Sequence, residues 1–167
     1  MVSIETERLL LRPVAPDDAP AMVRLLRADE AGVRMTERLP WPMTETAARD
    51  WLALRLGPGE RAFAVCPKGH AGIAGVVGFR REGDLAGFGY WIGPEFRGRG
   101  YATEALRAAL AHARSLGVRH VVAETFLDNA ASQRVLAKAG FAPGGMRDRE
   151  VPTRQRPQRL RQFGRPL

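Results

Sequence analysis

Between Tyr90 and Leu106 the chain reads Tyr-Trp-Ile-Gly-Pro-Glu-Phe-Arg-Gly-Arg-Gly-Tyr-Ala-Thr-Glu-Ala-Leu, an apolar strand that runs through a Gly/Arg turn straight into a helix. That order lets a chain hold a phosphate with its own backbone. Glycines allow close approach of the main chain, and the first N–H groups of a helix have no intrahelical partner. The helix dipole adds partial positive charge at the same place. The anion such a turn suits is the pyrophosphate of a nucleotide-like cofactor. Spacing narrows the choice: the dinucleotide fingerprint Gly-x-Gly-x-x-Gly would need a third glycine where Thr103 stands, and the Gly-Lys-Ser/Thr of an ATP-type loop is missing. What remains is Arg97-x-x-Gly100-x-Ala102.

The elements that must position this turn follow from periodicity and punctuation. Residues 7 to 14 read as a first strand, and Ala15-Pro16-Asp17-Asp18 as a helix start before Ala21, Met22, Leu25 and Leu26. A loop is expected over 30 to 43, then a helix capped by Thr44 and stopped by Gly57-Pro58-Gly59. Residues 61–66, 73–80 and 85–92 read as an antiparallel meander with short Gly, Pro and Asp turns. The helix opened by the Gly/Arg turn runs from about Tyr101 to Ser115, with Ala105, Leu106, Ala109 and Leu110 on its apolar stripe and Gly117 ending it. A strand over 119–126, a helix over 130–139, a strand from Gly140-Phe141 and a closing strand over 158–163 complete the pattern. The expected fold class is α+β: a mostly antiparallel central sheet with helices on both faces, in a single domain over 1–167.

Composition excludes several function classes. At 167 residues, 45% of them hydrophobic, the chain can bury one sizeable core. No apolar run approaches the roughly 18 to 20 residues of a membrane span, and the acidic N-terminus lacks the apolar core of a signal peptide. A cytoplasmic location is the expectation. Cys66 is the only cysteine, and His70, His112 and His120 lack metal-ligand spacing, so neither a disulfide nor a metal is expected. The net charge of +8 comes almost wholly from arginine, since Lys68 and Lys138 are the only lysines. Much of it lies late, in Arg147, Arg149, Arg154, Arg156, Arg159, Arg161 and Arg165. Basic charge favours polyanionic partners, but only Phe163 among these residues could stack on a base, so nucleic acid is not the expected partner.

Taken together, Arg97-x-x-Gly100-x-Ala102, the opening Thr6-Glu7-Arg8-Leu9-Leu10-Leu11-Arg12, the Gly89-Tyr90-Trp91-Ile92 strand and the segment from Leu127 to Phe141 resemble the GNAT superfamily of N-acetyltransferases. Within the last segment, Asn129-x-x-Ser132, Val135-Leu136 and Gly140-Phe141 carry the likeness. The similarity spans nearly the whole chain and leans toward ribosomal-protein N-terminal acetyltransferases of the RimJ/RimL kind.

The resemblance implies acetyl-CoA as cosubstrate. The strand from Tyr90 through Trp91 and Ile92 to Gly93 would pair its backbone with the pantetheine arm. Backbone N–H groups of Gly98, Arg99, Gly100, Tyr101 and Ala102 would cradle the pyrophosphate, with Arg97 and Arg99 reaching the phosphates. Asn129 would bond a pantetheine amide, and the strands ending near Ile92 and Phe126 would splay to admit the arm. In direct attack of an amine on the thioester, a base must keep the amine neutral and the leaving thiolate needs a donor. Some family members carry a base, acting directly or through water, where Glu124 stands; the alternative for Glu124 is a strand carboxylate meeting arginines. Glu95, at the edge of the turn, is a second base candidate, acting through water. Many members place a tyrosine seven residues after the asparagine, where this chain has Leu136. Ser132 is the substitute that the RimJ/RimL branch suggests, a hydroxyl bonded to the CoA sulfur; its other reading is a helix cap.

The implied acceptor is a peptide N-terminus or a small amine, with Trp41 as the acceptor-contact candidate. Such proteins commonly form homodimers, which no segment here demands. A non-catalytic acyl-CoA-binding or sensor module is the alternative that Leu136 keeps open.

Overall fold

Where apolar residues alternate, they have formed strands. In the computed structural model, which describes residues 2–151, 154 and 157–167, Ile4–Glu5 (β1) pairs antiparallel with Leu9–Pro13 (β2), and β2 buries Leu9 and Leu11 while Leu10 faces out. Met1 and, in the late basic cluster, Arg156 lie outside the described residues. Glu60–Pro67 (β3), Gly75–Glu82 (β4) and Leu85–Ile92 (β5) form the antiparallel meander that the short turns predict. His120–Phe126 (β6) then joins β5 in parallel, and Ala142–Arg149 (β7) and Gln158–Pro166 (β8) close the sheet in the order β1-β2-β3-β4-β5-β6-β8-β7. The architecture is the expected α+β one, a mostly antiparallel sheet with helices packed on it.

The helices are Ala19–Leu26 (α1), Glu30–Val33 (α2), Glu45–Leu54 (α3), Tyr101–Ser115 (α4) and Ala130–Lys138 (α5). One differs from the sequence reading: the loop expected over 30–43 begins with α2, a single turn whose Gly32 N–H donates to the Asp29 carboxylate at 3.2 Å. Four residues are too few to show a helical period.

Register assigns side chains to the two faces of the sheet. Phe63, Val77 and Tyr90 lie in one cross-strand row, and Phe79, Phe88 and Ala123 in the next. This face carries α4, whose His112 ring meets Phe63 at 5.6 Å and Phe79 at 6.4 Å. Arg12, Ala64, Val76 and Trp91 form a row on the opposite face, where Arg12 donates to both oxygens of the buried Asp18 at 2.6 and 2.9 Å, just ahead of α1. By the same alternation Glu124 shares the Trp91 face, and Thr125 the Tyr90 face.

Between β5 and β6 the ladder runs from Leu85↔His120 to Phe88↔Ala123 and ends there. Gly89–Ile92 and Glu124–Phe126 therefore part, opening a cleft that points at the start of α4. Gly75 lets β4 follow β5 past this point. A Cβ there would collide with the Trp91 carbonyl oxygen and sit 2.9 Å from Ile92 Cδ1.

The N-terminal strands brace the other side of the turn. Glu104, in the first turn of α4, accepts from the Thr6 hydroxyl (2.7 Å), the Arg8 N–H (2.8 Å) and Arg8 Nε (2.7 Å), while Arg8 NH1 donates to the Arg99 carbonyl at 2.8 Å. Burial works against the Glu104 charge, but these donors and the Arg8 cation outweigh it and hold the carboxyl below its ordinary 4.5.

Two outcomes test this framework. Gly75→Ala should destabilise by about 2–3 kcal/mol, because backbone cannot step aside as a flexible side chain would. A 167-residue domain would then melt roughly 5–10 °C lower by calorimetry. For Glu104 the depressed carboxyl means its stabilisation is present above the unfolded value of 4.5 and lost as pH falls through the lower folded value. The melting-temperature gap between wild type and Glu104→Gln should thus stay constant from pH 7 to about 5.5 and shrink toward pH 3.

Candidate active site

The Gly/Arg turn takes a shape that its glycines permit. Gly98 and Gly100 have φ of 74° and 80°, in the left-handed region where a side chain is strained. Gly100 is also the N-cap of α4. Helices α2, α3 and α5 begin on Asp29, Thr44 and Asn129, each accepting a backbone N–H from the first turn. Helix α4, the longest, begins on a residue with no side chain to offer. Its Glu104 N–H reaches the Gly100 carbonyl at 3.1 Å, and the N–H groups ahead of it face outward, as at any helix start. Such a helix start is a candidate seat for an anion.

Basic groups surround the seat unequally. Arg97 turns away: its Nε donates to the Ile92 carbonyl at 2.9 Å, and its terminal nitrogens pair with Asp29. Arg99 lies over the Phe96 ring at 5.8 Å, and His70 meets that ring edge-on at 5.1 Å. Glu95, a base candidate from the sequence, is exposed and paired with Arg24 of α1 at 2.8 Å.

The cleft above the turn is lined from both parted strands. Trp91 and Ile92 are buried, and among the described residues the buried Trp91 indole N–H has no hydrogen-bond partner. Across the gap on β6, the Thr125 hydroxyl is likewise buried without one. Asn129 caps α5 by accepting the Ser132 N–H at 3.1 Å and donates from Nδ2 to the Met35 carbonyl at 3.3 Å, tying α5 to the chain after α2. Ser132 is more than a cap neighbour: its Oγ lies 2.7 Å from the Tyr90 hydroxyl. Leu136 is fully buried, so no hydroxyl enters the cleft from that position.

Glu124 is held by its neighbours. Oε1 accepts from Gln162 Nε2 at 2.9 Å, Oε2 from Arg149 Nε at 3.0 Å, and Arg147 lies 3.7 Å away. These partners come from β7 and β8. In the structure this carboxylate meets arginines, with both of its oxygens hydrogen-bonded.

A residue not singled out from the sequence stands beside it. Glu37, in the chain after α2, has a carboxyl raised above its ordinary 4.5, first by burial and next by the Glu124 charge, with Arg149 and Arg38 acting the other way. Nothing in the sequence links positions 37 and 124, which tertiary folding alone brings together. The same wall is closed by Arg154, which donates to the Arg34 carbonyl at 3.0 and 3.2 Å and lies 3.9 Å over the Phe126 ring. Trp41 packs half-buried against the main core. Among the described residues, no three His, Cys, Asp or Glu side chains gather as a metal would require, and no helix is long and apolar enough to cross a membrane.

Comparison with known proteins agrees with this geometry. Residues 8–142 match the family model described as Acetyltransferase (GNAT) domain. An uncharacterized N-acetyltransferase of Bacillus subtilis, YoaA, is 28% identical over 151 residues, covering 86% of this chain and 84% of the relative. A probable GNAT-family acetyltransferase from Chromobacterium violaceum superposes with a TM-score of 0.86 at 25% identity, over 98% of this chain and 85% of that one. The ribosomal L7/L12 alpha-N-protein acetyltransferase RimL, solved in complex with coenzyme A, superposes with a TM-score of 0.84 at 22% identity, over 99% and 98% of the two chains. The overall fold is thus shared with these proteins, and the chain belongs to the GNAT acetyltransferase domain family, with RimL among its structural neighbours.

Proposed function

We propose that the protein is an acetyl-CoA-dependent N-acetyltransferase that passes acetyl to a primary amine by direct attack in a ternary complex. The observation that carries this reading is the parted ladder beyond Phe88↔Ala123 leading to the α4 start. The N–H groups of Gly98 to Ala102 suit the pyrophosphate, and the edge of β5 from Gly89 to Ile92 suits the amides of a pantetheine arm. Arg99 is better placed than Arg97 to meet phosphates, since Arg97 is engaged with Asp29 and Ile92.

The acceptor enters on the Trp91 face, where Glu124 stands, with Glu37 near enough to feel its charge. Its nitrogen bonds to the thioester carbon, the C–S bond breaks with its electron pair going to sulfur, and the surplus amine proton leaves through Glu37, directly or by water. Glu124 holds Arg149 and Gln162 and disfavours the ionised form of its neighbour, tuning Glu37 toward the range of a useful base. Ser132, on the sulfur side, donates to the leaving thiolate. A peptide N-terminus or a small amine is the acceptor. An α-amine, with pKa of about 8, needs far less help than a lysine-like amine near 10.4, in keeping with a carboxyl base. The RimL neighbour, named as acting on a protein N-terminus, supports the peptide reading. The charge of +8 disfavours polycationic acceptors. The cytoplasm, where acetyl-CoA and nascent proteins meet, is the proposed location.

Leu136 favours one alternative, an acyl-CoA sensor without turnover. Acetyl-CoA should raise the melting temperature of the wild type, and this gain should be lost in Gly100→Val, whose side chain strains the left-handed turn. Thiol release should then require an amine from a panel of peptides and small amines. Stabilisation without release across the panel would favour the sensor, and no stabilisation would sink both readings. Glu37→Gln should lower kcat/KM by about 100-fold at pH 7. Because the Glu37 carboxyl is raised and must be ionised to work, the wild-type rate should fall as pH drops through a value above 4.5. That acid limb should be missing from the pH profile of the variant.

A further inference from the structure

Tyr90 sits two residues beyond Phe88, the last β5 residue paired to β6, so its ring lies on the α5 side of the cleft where the strands part. Its hydroxyl is 2.7 Å from Ser132 Oγ and 3.2 Å from the Ser132 carbonyl oxygen. Ser132 is thereby fixed twice, through its N–H by the Asn129 side chain at 3.1 Å and through its hydroxyl by Tyr90. Leu136 follows one turn later on the same face of α5 and is fully buried. A tyrosine hydroxyl therefore reaches this end of the cleft, but from the facing strand instead of from α5.

We infer that Tyr90 is the positioning residue for Ser132, aiming the serine hydroxyl at the thioester sulfur and standing in for the tyrosine that α5 lacks. The inference rests on the acetyltransferase reading above and deepens it. The Ser132 carbonyl can only accept, whereas the Ser132 hydroxyl can donate or accept, so two hydrogen placements fit these contacts. When the tyrosine hydrogen points to the carbonyl, Ser132 donates to Tyr90; when it points to Oγ, Ser132 keeps its own hydrogen for an outside acceptor. The second placement is the working one, reached when a thiolate draws the serine hydrogen. Burial pushes the Tyr90 hydroxyl up to about 12, against the opposing effect of its bond to Ser132. It therefore remains a donor throughout the working pH range.

The same chemistry limits its role. A thiol with pKa of about 8.5 does not draw a proton from so weak an acid. Tyr90 keeps its hydrogen through the cycle, Ser132 stabilises the charge that arrives on sulfur as the C–S bond breaks, and the proton that finally neutralises the thiolate comes from the acceptor amine by way of the base and solvent.

Tyr90→Phe preserves the ring and removes the hydroxyl. With acetyl-CoA and the amine that the wild type acetylates, kcat should fall about 10-fold or more while the KM for acetyl-CoA stays within about twofold and the melting temperature stays near wild type. Ser132→Ala should lose a similar factor, and the double variant should be no slower than the worse single one, because the two hydroxyls act as a unit. A merely structural tyrosine would shift stability or KM and would add to the serine loss. An unchanged kcat in Tyr90→Phe, a KM effect in its place, or additive losses would each overturn the inference while leaving the acetyltransferase reading intact. A wild type that neither binds nor turns over acetyl-CoA would overturn both.

Discussion

Two parallel strands that begin paired and then separate impose the main constraint on this molecule. Past Phe88↔Ala123, β5 and β6 forgo the hydrogen bonds of a continuous ladder, and buried backbone groups without partners are costly. Neighbouring groups supply some of what is missing. Arg97 Nε satisfies the Ile92 carbonyl, the Gly93 N–H reaches back to the Ala74 carbonyl at 2.8 Å, and β4 still pairs with β5 through Gly75↔Ile92. Further along, β6 is held on its other side by β8 through Phe126↔Leu160. Each parted strand thus keeps one good edge, and apart from the Ile92 carbonyl taken by Arg97 the inner edge lacks a strand partner, the arrangement an extended, amide-bearing ligand requires to join a sheet.

The anion seat depends on that separation and on two braces outside it. Arg8 and Glu104 join the N-terminal strands to the first turn of α4, and Arg97 joins the turn to Asp29 at the start of α2. Arg8 also lies 5.2 Å over the Tyr101 ring, at the helix start itself, while Arg97 is turned toward α2. Both hold the turn in place, and on the proposed reading an already ordered turn leaves less ordering to be done on binding. This gives the Thr6-Glu7-Arg8 segment, remote in sequence, a physical reason to accompany the Gly/Arg turn. It is the far half of a clamp whose near half is Glu104.

Local features were legible in the sequence and long-range partners were not. The left-handed Gly98 and Gly100, the Thr44 cap and the apolar stripe of α4 depend on residues a few positions apart, and the meander follows from turns of the same scale. The direction of Arg97 depended on Asp29, 68 residues away, and α2 was too short to announce itself. Glu124 read equally well as a base or as an arginine partner, because its partners, Arg149 and Gln162, are 25 and 38 residues on. Glu37 carried no signal at all. Tyr90 was legible as a strand residue, but its meeting with Ser132, 42 residues away, requires knowing where the ladder stops.

Alternation along the parted strands sorts the chemistry between the two faces of the sheet. Trp91 and Glu124 belong to the face shared with Arg12, and Tyr90 and Thr125 to the face covered by α4 and α5. A carbonyl carbon held in the plane between them would meet carboxylates on one side and hydroxyl donors on the other. On the proposed reading, the nucleophile loses its proton on the side of Glu37 and Glu124, and the leaving group gains stabilisation where Ser132 and Tyr90 offer hydrogen. Such a separation keeps the base from neutralising the donor. It also explains how the chain can do without a tyrosine at position 136: that face of the cleft needs a hydroxyl donor, and β5 supplies the support for one as readily as α5 could. On that reading, the general acid of the commoner arrangement and the Tyr90–Ser132 pair differ in route but would deliver hydrogen-bond donation to the same side of the thioester.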